Sequence, residues 1–143
     1  MGSAVVCCFR AGGRGETAMT RLLAGKRVLV VEDHVIIAMD LAHELAAREA
    51  KVIGPVGTLD AALKAIRNTD LDGVILDLNL RGRAAFPVAD ALADRNVPFV
   101  FATGYAYDIP ARHANVPRLE KPTPADVICR ALEAAMSTTL NEE

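Results

Sequence analysis

The segment at residues 27–33 reads RVLVVED, and it decides the fold class of this chain. Four apolar residues in a row, three of them valines, predict a strand that is buried on both faces. A basic residue precedes this run, and two acidic residues, Glu32 and Asp33, end it. Strands of this kind occur in parallel sheets covered by helices, so the segment predicts an α/β protein with charged residues at the end of a central strand.

The same alternation of strands and helices continues along the chain. In the first predicted helix, Ile37, Leu41 and Leu45 recur every four residues and form one apolar stripe. The predicted strands cover residues 27–31, 51–56, 73–77, 98–103 and 116–120. The predicted helices cover residues 34–50, 59–68, 87–94, a short stretch within 104–115, and the segment from an N-cap at Thr123 to Met136. Five βα units predict a five-stranded parallel sheet of order 2-1-3-4-5, with helices on both faces.

Composition limits the classes of function. The chain has 143 residues, of which 52% are hydrophobic and 4% aromatic, and this suits one domain with a substantial aliphatic core. The net charge of −2 favours neither nucleic acid nor a membrane surface as a partner. No apolar run reaches the roughly 18 residues of a membrane-spanning helix. Three cysteines without metal-ligand spacing are typical of a protein in the reducing cytoplasm.

The first 25 residues differ in composition from the remainder of the chain. Residues 11–16 are rich in Gly and Arg, and they lack the Gly-Lys-Ser/Thr ending of a phosphate-binding loop. We therefore predict a poorly ordered N-terminal extension over residues 1–25, a single domain over residues 26–137 and a polar tail over residues 138–143.

Polar residues stand at the carboxyl ends of four of the five predicted strands. They are Glu32 and Asp33 after the first strand, Asp77 at the end of the third, Thr103 at the end of the fourth and Lys121 after the fifth. Open α/β sheets bind ligands at this edge, where the first and third strands flank the point at which the strand order reverses. Three carboxylates gathered there repel one another unless a cation neutralises them. An all-oxygen set favours Mg²⁺, with Mn²⁺ as the alternative, over zinc.

A carboxylate in such a site can act as a nucleophile toward phosphorus, and Asp77 is the candidate phosphoacceptor. A transferring phosphoryl group needs positive charge and hydrogen-bond donors around its oxygens. Lys121 and the hydroxyl of Thr103 supply both, and Gly104 leaves room for the group to enter.

This combination of residues resembles the receiver domains of two-component response regulators, and the resemblance covers most of the chain from Lys26 onward. It implies a flavodoxin-like fold and a signalling switch, not an enzyme, that a sensor histidine kinase or a phosphotransfer protein phosphorylates on Asp77. The resemblance also implies a role for each matching residue. These are metal ligation by Asp33, Asp77, the backbone carbonyl of Asn79 and, through water, Glu32; phosphoryl binding by Thr103, Gly104 and Lys121; and a cis peptide bond before Pro122.

Residues 101–105 read FATGY and resemble the receiver subclass named for its FATGUY signature, many of whose members are single-domain regulators. Most receivers carry an aromatic switch residue three positions before the lysine, where this chain has Arg118. Tyr105 and Tyr107 are therefore both candidate switch residues. The sparsely apolar segment after them, which contains Pro110, is the predicted moving element. We expect His113, in the same segment, to lie at the surface or to face a partner.

Two other functions stay open at this point. A Mg²⁺-dependent phosphohydrolase of the haloacid dehalogenase type also uses an Asp at a strand end, but it requires a second Asp where this chain has Asn79. A degenerate receiver that acts only as a protein-binding module is disfavoured by the complete set of acidic and basic residues. Within the receiver interpretation, the sequence does not choose among a diffusible effector, a relay intermediate and a phosphate sink. It also leaves open the cognate kinase, the downstream protein and homodimerisation.

Overall fold

The computed structural model describes residues 21–104 and 108–141, and its centre is a five-stranded parallel sheet. The strands are β1 (Arg27–Val31), β2 (Lys51–Val56), β3 (Gly73–Leu76), β4 (Phe99–Thr103) and β5 (Arg118–Glu120). Their order across the sheet is β2-β1-β3-β4-β5, and each neighbouring pair is parallel. This confirms the predicted flavodoxin-like topology. Val31 of β1 pairs with Leu76 of β3, so the residues directly after both strands emerge side by side.

In the described part of the chain, four α-helices cover the sheet, two on each face. They are α1 (Val35–Ala47), α2 (Leu59–Asn68), α3 (Phe86–Asp94) and α4 (Ala125–Asn141). Helices α1 and α4 pack together on one face, and α2 and α3 pack together on the other. The first turn of α2 is stabilised by Thr58, whose Oγ1 accepts a hydrogen bond from the N–H of Ala61 at 3.1 Å.

Alternate side chains of β1 enter two separate hydrophobic cores. Leu29 and Val31 belong to the core beneath α2 and α3, whereas Val28 and Val30 belong to the core beneath α1 and α4. All four side chains are fully buried, and burial of an aliphatic side chain of this size contributes about 1.5–3 kcal/mol. Because the central strands are packed from both sides, their carboxyl ends are held in fixed relative positions.

The segment between β4 and β5 differs from the prediction. Within its described residues the predicted short helix is only a 3-10 turn, Ala111–His113, and Pro110 precedes it. His113, which we expected at the surface, is only 2% exposed. Its ring packs edge-on against Phe99 and Phe101, with centroid distances of 6.0 and 6.3 Å. The aromatic side chains of β4 thus bury a polar residue of a segment that is poor in apolar residues of its own.

Two further elements are also corrected by the structure. After Asp77 the chain forms an antiparallel hairpin of two short strands, Asn79–Leu80 and Arg83–Ala84, where the sequence predicts only a turn. Thr123 is not the N-cap of α4, because its hydroxyl donates to the carbonyl of Glu120. The carbonyl of Pro124 instead accepts the N–H of Ile128 at 3.2 Å.

Secondary structure is present at both ends of the described chain. Of the predicted extension, residues 1–20 lie outside the described part. A 3-10 turn, Arg21–Leu23, precedes β1, and Leu23 is fully buried. Helix α4 continues through residues 138–141 of the predicted polar tail. Among the described residues, no helix has both the length and the apolar character that crossing a membrane requires.

Candidate functional site

Three carboxylates meet at the carboxyl edge of the sheet. Glu32 and Asp33 directly follow β1, and Asp77 directly follows β3, the neighbouring strand. One carboxylate oxygen from each residue lies within 4.8 Å of the others. Glu32 is 3% exposed and Asp77 4%, while Asp33 is half-buried. Parallel pairing of β1 with β3 is the reason that Asp77, which is 44 positions after Asp33 in the chain, joins Glu32 and Asp33 in one acidic cluster.

Lys121 supplies the positive charge of this cluster. It follows β5, and its Nζ donates hydrogen bonds to Oε1 of Glu32 and, at 3.1 Å, to Oδ2 of Asp77. Its backbone N–H donates to the carbonyl of Thr103 at 2.9 Å, and the Lys121–Pro122 peptide bond is cis. The lysine thereby joins the end of β5 to the carboxylates of the two central strands.

Backbone N–H groups hold the carboxylates from the other side. Oε2 of Glu32 accepts the N–H of His34 at 3.1 Å, and Oδ1 of Asp77 accepts the N–H of Asn79 at 3.1 Å. Oδ2 of Asp33 accepts the N–H of Arg81 at 2.9 Å. Sequence reasoning missed the contribution of Arg81, because a backbone donor carries no side-chain signature. The Arg-Gly pair at residues 81–82, typical of a tight turn, is the signal that points to it.

Burial and charge shift the pKa values of two of these groups. Burial raises the pKa of Glu32 from 4.5 to about 7; the hydrogen bond from Lys121 opposes this shift, and the negative charge of Asp77 adds to it. Burial by itself lowers the pKa of Lys121, but the hydrogen bond and the charges of Glu32 and Asp77 outweigh it. The net result is a Lys121 pKa above its ordinary value, so the amine is charged at neutral pH.

The donor set fits a hard divalent cation. All three clustered side chains offer carboxylate oxygens, and such oxygens suit Mg²⁺ or Mn²⁺ better than zinc. Two of the three carboxylates are almost completely buried, so their mutual repulsion is only weakly screened by water. A cation bound between Glu32, Asp33 and Asp77 would remove that repulsion.

The remaining predicted site residues surround this cluster. Thr103 ends β4 and is completely buried. Gly104 is exposed, and a Cβ built on it would meet only the Cβ of Lys121, at 3.9 Å, so the space beside it is open. The two tyrosines predicted as switch residues, Tyr105 and Tyr107, lie outside the described residues.

Comparisons with known proteins give the family of this chain. No family model matches the chain. SdrG from Sphingomonas melonis Fr1 is 40% identical to it, with a TM-score of 0.69 over 79% of this chain and 97% of SdrG. The structure of SdrG is also known in a BeF3-activated conformation. A CheY-like receiver domain protein from Methanospirillum hungatei JF-1 is 19% identical and shares the fold, with a TM-score of 0.74 over 84% of this chain and 100% of that protein.

A curated relative matches a smaller part of its own length. The transcriptional regulatory protein PdtaR of Mycobacterium tuberculosis is 28% identical over 93 residues, which is 64% of this chain but 45% of PdtaR. The chain thus spans less than half the length of that protein. With the match to SdrG over nearly its whole length, these comparisons show that the chain belongs to the receiver family of response regulators, the signalling domains of two-component systems.

Proposed function

We propose that this chain is a single-domain response regulator that accepts a phosphoryl group on Asp77 in a Mg²⁺-dependent reaction. One observation carries the proposal: the charged amine of Lys121 contacts both Asp77 and Glu32 within a cluster of three carboxylates. A nucleophilic carboxylate, a set of metal ligands and a fixed positive charge are together what phosphoryl transfer to an aspartate requires. Likeness to SdrG, which adopts a BeF3-activated conformation, supports the same chemistry.

In the proposed reaction a carboxylate oxygen of Asp77 attacks the phosphorus of a phosphohistidine. The P–O bond forms as the P–N bond breaks, and the imidazole leaves with its bonding electron pair. Hydrogen bonds from Asn79 and Lys121 orient the Asp77 carboxylate for this attack. Lys121 is then positioned to hold a phosphoryl oxygen by charge, and the Thr103 hydroxyl is proposed to donate to another.

Asp33 and Asp77 would ligate the metal directly, Glu32 through a water molecule, and Asn79 through its backbone carbonyl. A Mg²⁺ ion bound there would neutralise the carboxylates and balance the charge on the phosphoryl oxygens. Mn²⁺ has the same preference for oxygen ligands and is the expected substitute.

The proposed output element is the segment between β4 and β5. Phosphorylation would change the surroundings of Thr103 at the end of β4, and Tyr105 or Tyr107 would carry this change to partner proteins. Residues 101–105 support membership in the FATGUY subclass. We place the protein in the cytoplasm as a diffusible effector, a relay intermediate or a phosphate sink, with homodimerisation left open.

Helix α1 offers a surface to the phosphoryl donor, which we propose is a sensor histidine kinase or a phosphotransfer protein. The large hydrophobic side chains Val35, Ile36 and Met39 are between 63% and 68% exposed. Helix α1 begins two residues after Asp33, so this apolar patch lies beside the acidic cluster. Ile36→Glu should slow transfer from a protein donor and leave phosphorylation by a small-molecule donor unchanged. An equal effect on both donors would contradict this docking surface.

Labelling with a small-molecule phosphodonor and Mg²⁺ tests the central proposal. Wild-type protein should acquire one acid-labile phosphate, and Asp77→Asn should acquire none. Asp94→Asn, an exposed aspartate on α3, is the matched control and should label like wild type. Full labelling of Asp77→Asn would overturn the proposal. Continuous turnover of a phosphate ester would favour a phosphohydrolase instead, and failure to bind beryllofluoride with Mg²⁺ would favour an inert binding module.

A further inference from the structure

The turn after β3 links two of the candidate site carboxylates through a chain of hydrogen bonds. The N–H of Asn79 donates to Oδ1 of Asp77 at 3.1 Å, and the side-chain Oδ1 of Asn79 accepts the N–H of Gly82 at 2.9 Å. The N–H of Arg81, the residue before Gly82, donates to Oδ2 of Asp33 at 2.9 Å. The turn that the Asn79 side chain closes therefore contacts both the candidate phosphoacceptor and a candidate metal ligand that follows a different strand.

The backbone of this turn adopts an uncommon conformation. Arg81 has a φ of 55° and Gly82 a φ of 84°, both in the left-handed region. Two successive residues with positive φ are typical of the tight turns that connect antiparallel strands, and here they connect Asn79–Leu80 to Arg83–Ala84. A non-glycine residue in this region costs roughly 1–2 kcal/mol. Leu80, which is buried, and the two side-chain acceptors offset that cost.

Repulsion explains why Asp33 needs such a donor. Asp33 is half-buried beside two buried carboxylates. Without a hydrogen bond, its carboxylate would lower its electrostatic free energy by turning away from them into water. A carboxylate has two oxygens and about four lone-pair positions, so accepting one N–H leaves it able to ligate a cation. The N–H of Arg81 can hold Asp33 only while the turn keeps its shape.

We propose that the Asn79 side chain is a positioning group for the metal site: by accepting the N–H of Gly82 it shapes the turn, so that the N–H of Arg81 holds Asp33 ready for the cation. This inference rests on the proposed function, because it assumes that Mg²⁺ binds at Asp33. It is separate from the role proposed for the backbone carbonyl of Asn79, which every residue type at this position retains.

Mg²⁺ titration of the unphosphorylated 143-residue chain, by calorimetry or by NMR, tests the proposal. Asn79→Ala should weaken Mg²⁺ binding by about tenfold, the lower end of the range for groups that orient metal ligands. Asn79→Ser should recover most of the loss, since its hydroxyl can accept the same backbone N–H. Arg83→Ala, an exposed residue of the same hairpin, is the control and should bind Mg²⁺ like wild type.

Hydrogen exchange gives a second measurement that needs no change at position 79. In metal-free wild-type protein the amides of Arg81 and Gly82 should both exchange slowly. Asp33→Ala should release the Arg81 amide, which loses its acceptor, while the Gly82 amide stays protected by Asn79. A fast Arg81 amide in wild type, or one that stays slow in Asp33→Ala, would overturn the inference.

The outcomes separate this inference from the function on which it rests. If Asn79→Ala binds Mg²⁺ as tightly as wild type, the positioning role is wrong and the metal site stands. If Asn79→Ser binds as weakly as Asn79→Ala, the side-chain acceptor is not the cause. If wild-type protein binds no Mg²⁺, the proposed function itself fails, whatever the exchange rates show.

Discussion

The Nε2 atom of His113 lies 2.8 Å from Oδ1 of Asp90, and this pair joins the segment before β5 to helix α3. Arg112 binds the same carboxylate twice, through Nε to Oδ1 at 2.7 Å and through Nη2 to Oδ2 at 3.1 Å. We call these three residues, Asp90, Arg112 and His113, the Asp90 clamp. The clamp and the aromatic contacts of His113 hold the predicted moving element against the body of the domain.

Removal of the clamp carboxylate should destabilise the domain more than removal of the clamp arginine. Asp90→Ala leaves the buried ring of His113 without this partner, and we expect a loss of about 1–3 kcal/mol in the free energy of unfolding. Arg112→Ala should cost less, because its side chain is 58% exposed and water screens its charge. Urea unfolding at pH 7 measures both values. A larger loss of stability in Arg112→Ala than in Asp90→Ala would contradict this, because it would mean that the buried histidine does not need the Asp90 carboxylate.

The contribution of Asp90 should depend on pH in a defined direction. The hydrogen bond from Arg112 lowers the pKa of Asp90 below its ordinary value of 3.8, with His113 acting in the same sense. A lowered folded-state pKa adds stability above the unfolded-state pKa, and that stability is lost as pH falls through the folded-state pKa. The stability difference between wild type and Asp90→Asn should therefore be constant near neutral pH and shrink below about pH 3.8. A difference that grew on acidification would refute this assignment.

Mg²⁺ should stabilise the folded protein through the acidic cluster. A ligand that binds only the folded state adds about 2.7 kcal/mol when its concentration is 100 times its dissociation constant. Thermal unfolding with increasing Mg²⁺ should show a rising Tm for wild type and a much smaller rise for Asp33→Asn. Asp72→Asn changes an exposed aspartate outside the cluster and serves as the control. Equal shifts in Asp33→Asn and wild type would remove Asp33 from the metal site.

Lys121 should be required for stability when metal is absent. Lys121→Met leaves Glu32 and Asp77 buried without their shared partner, and breaking a buried ion pair costs about 3–5 kcal/mol. We expect a loss in this range at pH 8 in a chelating buffer, with part of it restored by Mg²⁺. Lys51→Met, an exposed lysine on the edge strand β2, should change little. Unfolding curves for both variants that match wild type would show that water, not the lysine, compensates these carboxylates.

Two glycines should respond differently to substitution by alanine. A Cβ at Gly73 would lie 3.2 Å from Cδ1 of Leu132 and 3.3 Å from Sδ of Met136, so Gly73→Ala should destabilise the domain by about 1 kcal/mol. Gly104→Ala makes only an ordinary contact, and stability should change by less than about 0.5 kcal/mol. The added methyl group instead narrows the proposed phosphoryl entrance, so phosphorylation of Asp77 should slow. An unchanged labelling rate would show that Gly104 does not limit entry.

The elements with strong local patterns were predictable from the sequence. The three central strands, β1, β3 and β4, are buried apolar runs, and the carboxyl ends of parallel strands meet at one edge, so Glu32, Asp33, Asp77 and Lys121 could be expected together. The hairpin after β3 could not, because strands of two residues have no periodicity. Burial of His113 depends on Phe99, Phe101 and Asp90, which come from other elements.

The burial of an acidic residue on α4 could not be predicted from the sequence for a similar reason. Glu133 is 1% exposed on α4, and Oε2 of this carboxylate accepts a hydrogen bond from Nη1 of Arg48 at 3.1 Å. Arg48 comes directly after the last residue of α1, so the pair forms only after the two helices have packed. A glutamate on a helix is normally solvated, and nothing in the order of residues marks the arginine that will neutralise it.

Leu23 fills the core beneath α1 and α4, and the adjoining Gly25 donates its N–H to the carbonyl of Glu49, just before β2. The chain thus enters the domain at the amino edge of the sheet, whereas Asp77 lies at the opposite edge. The described residues from 21 to 25 therefore lie on the far side of the domain from the proposed chemistry. Truncation past Leu23 would remove a buried side chain from the core beneath α1 and α4. The acidic cluster would keep all its residues, but the core that holds β1 in place would be weakened.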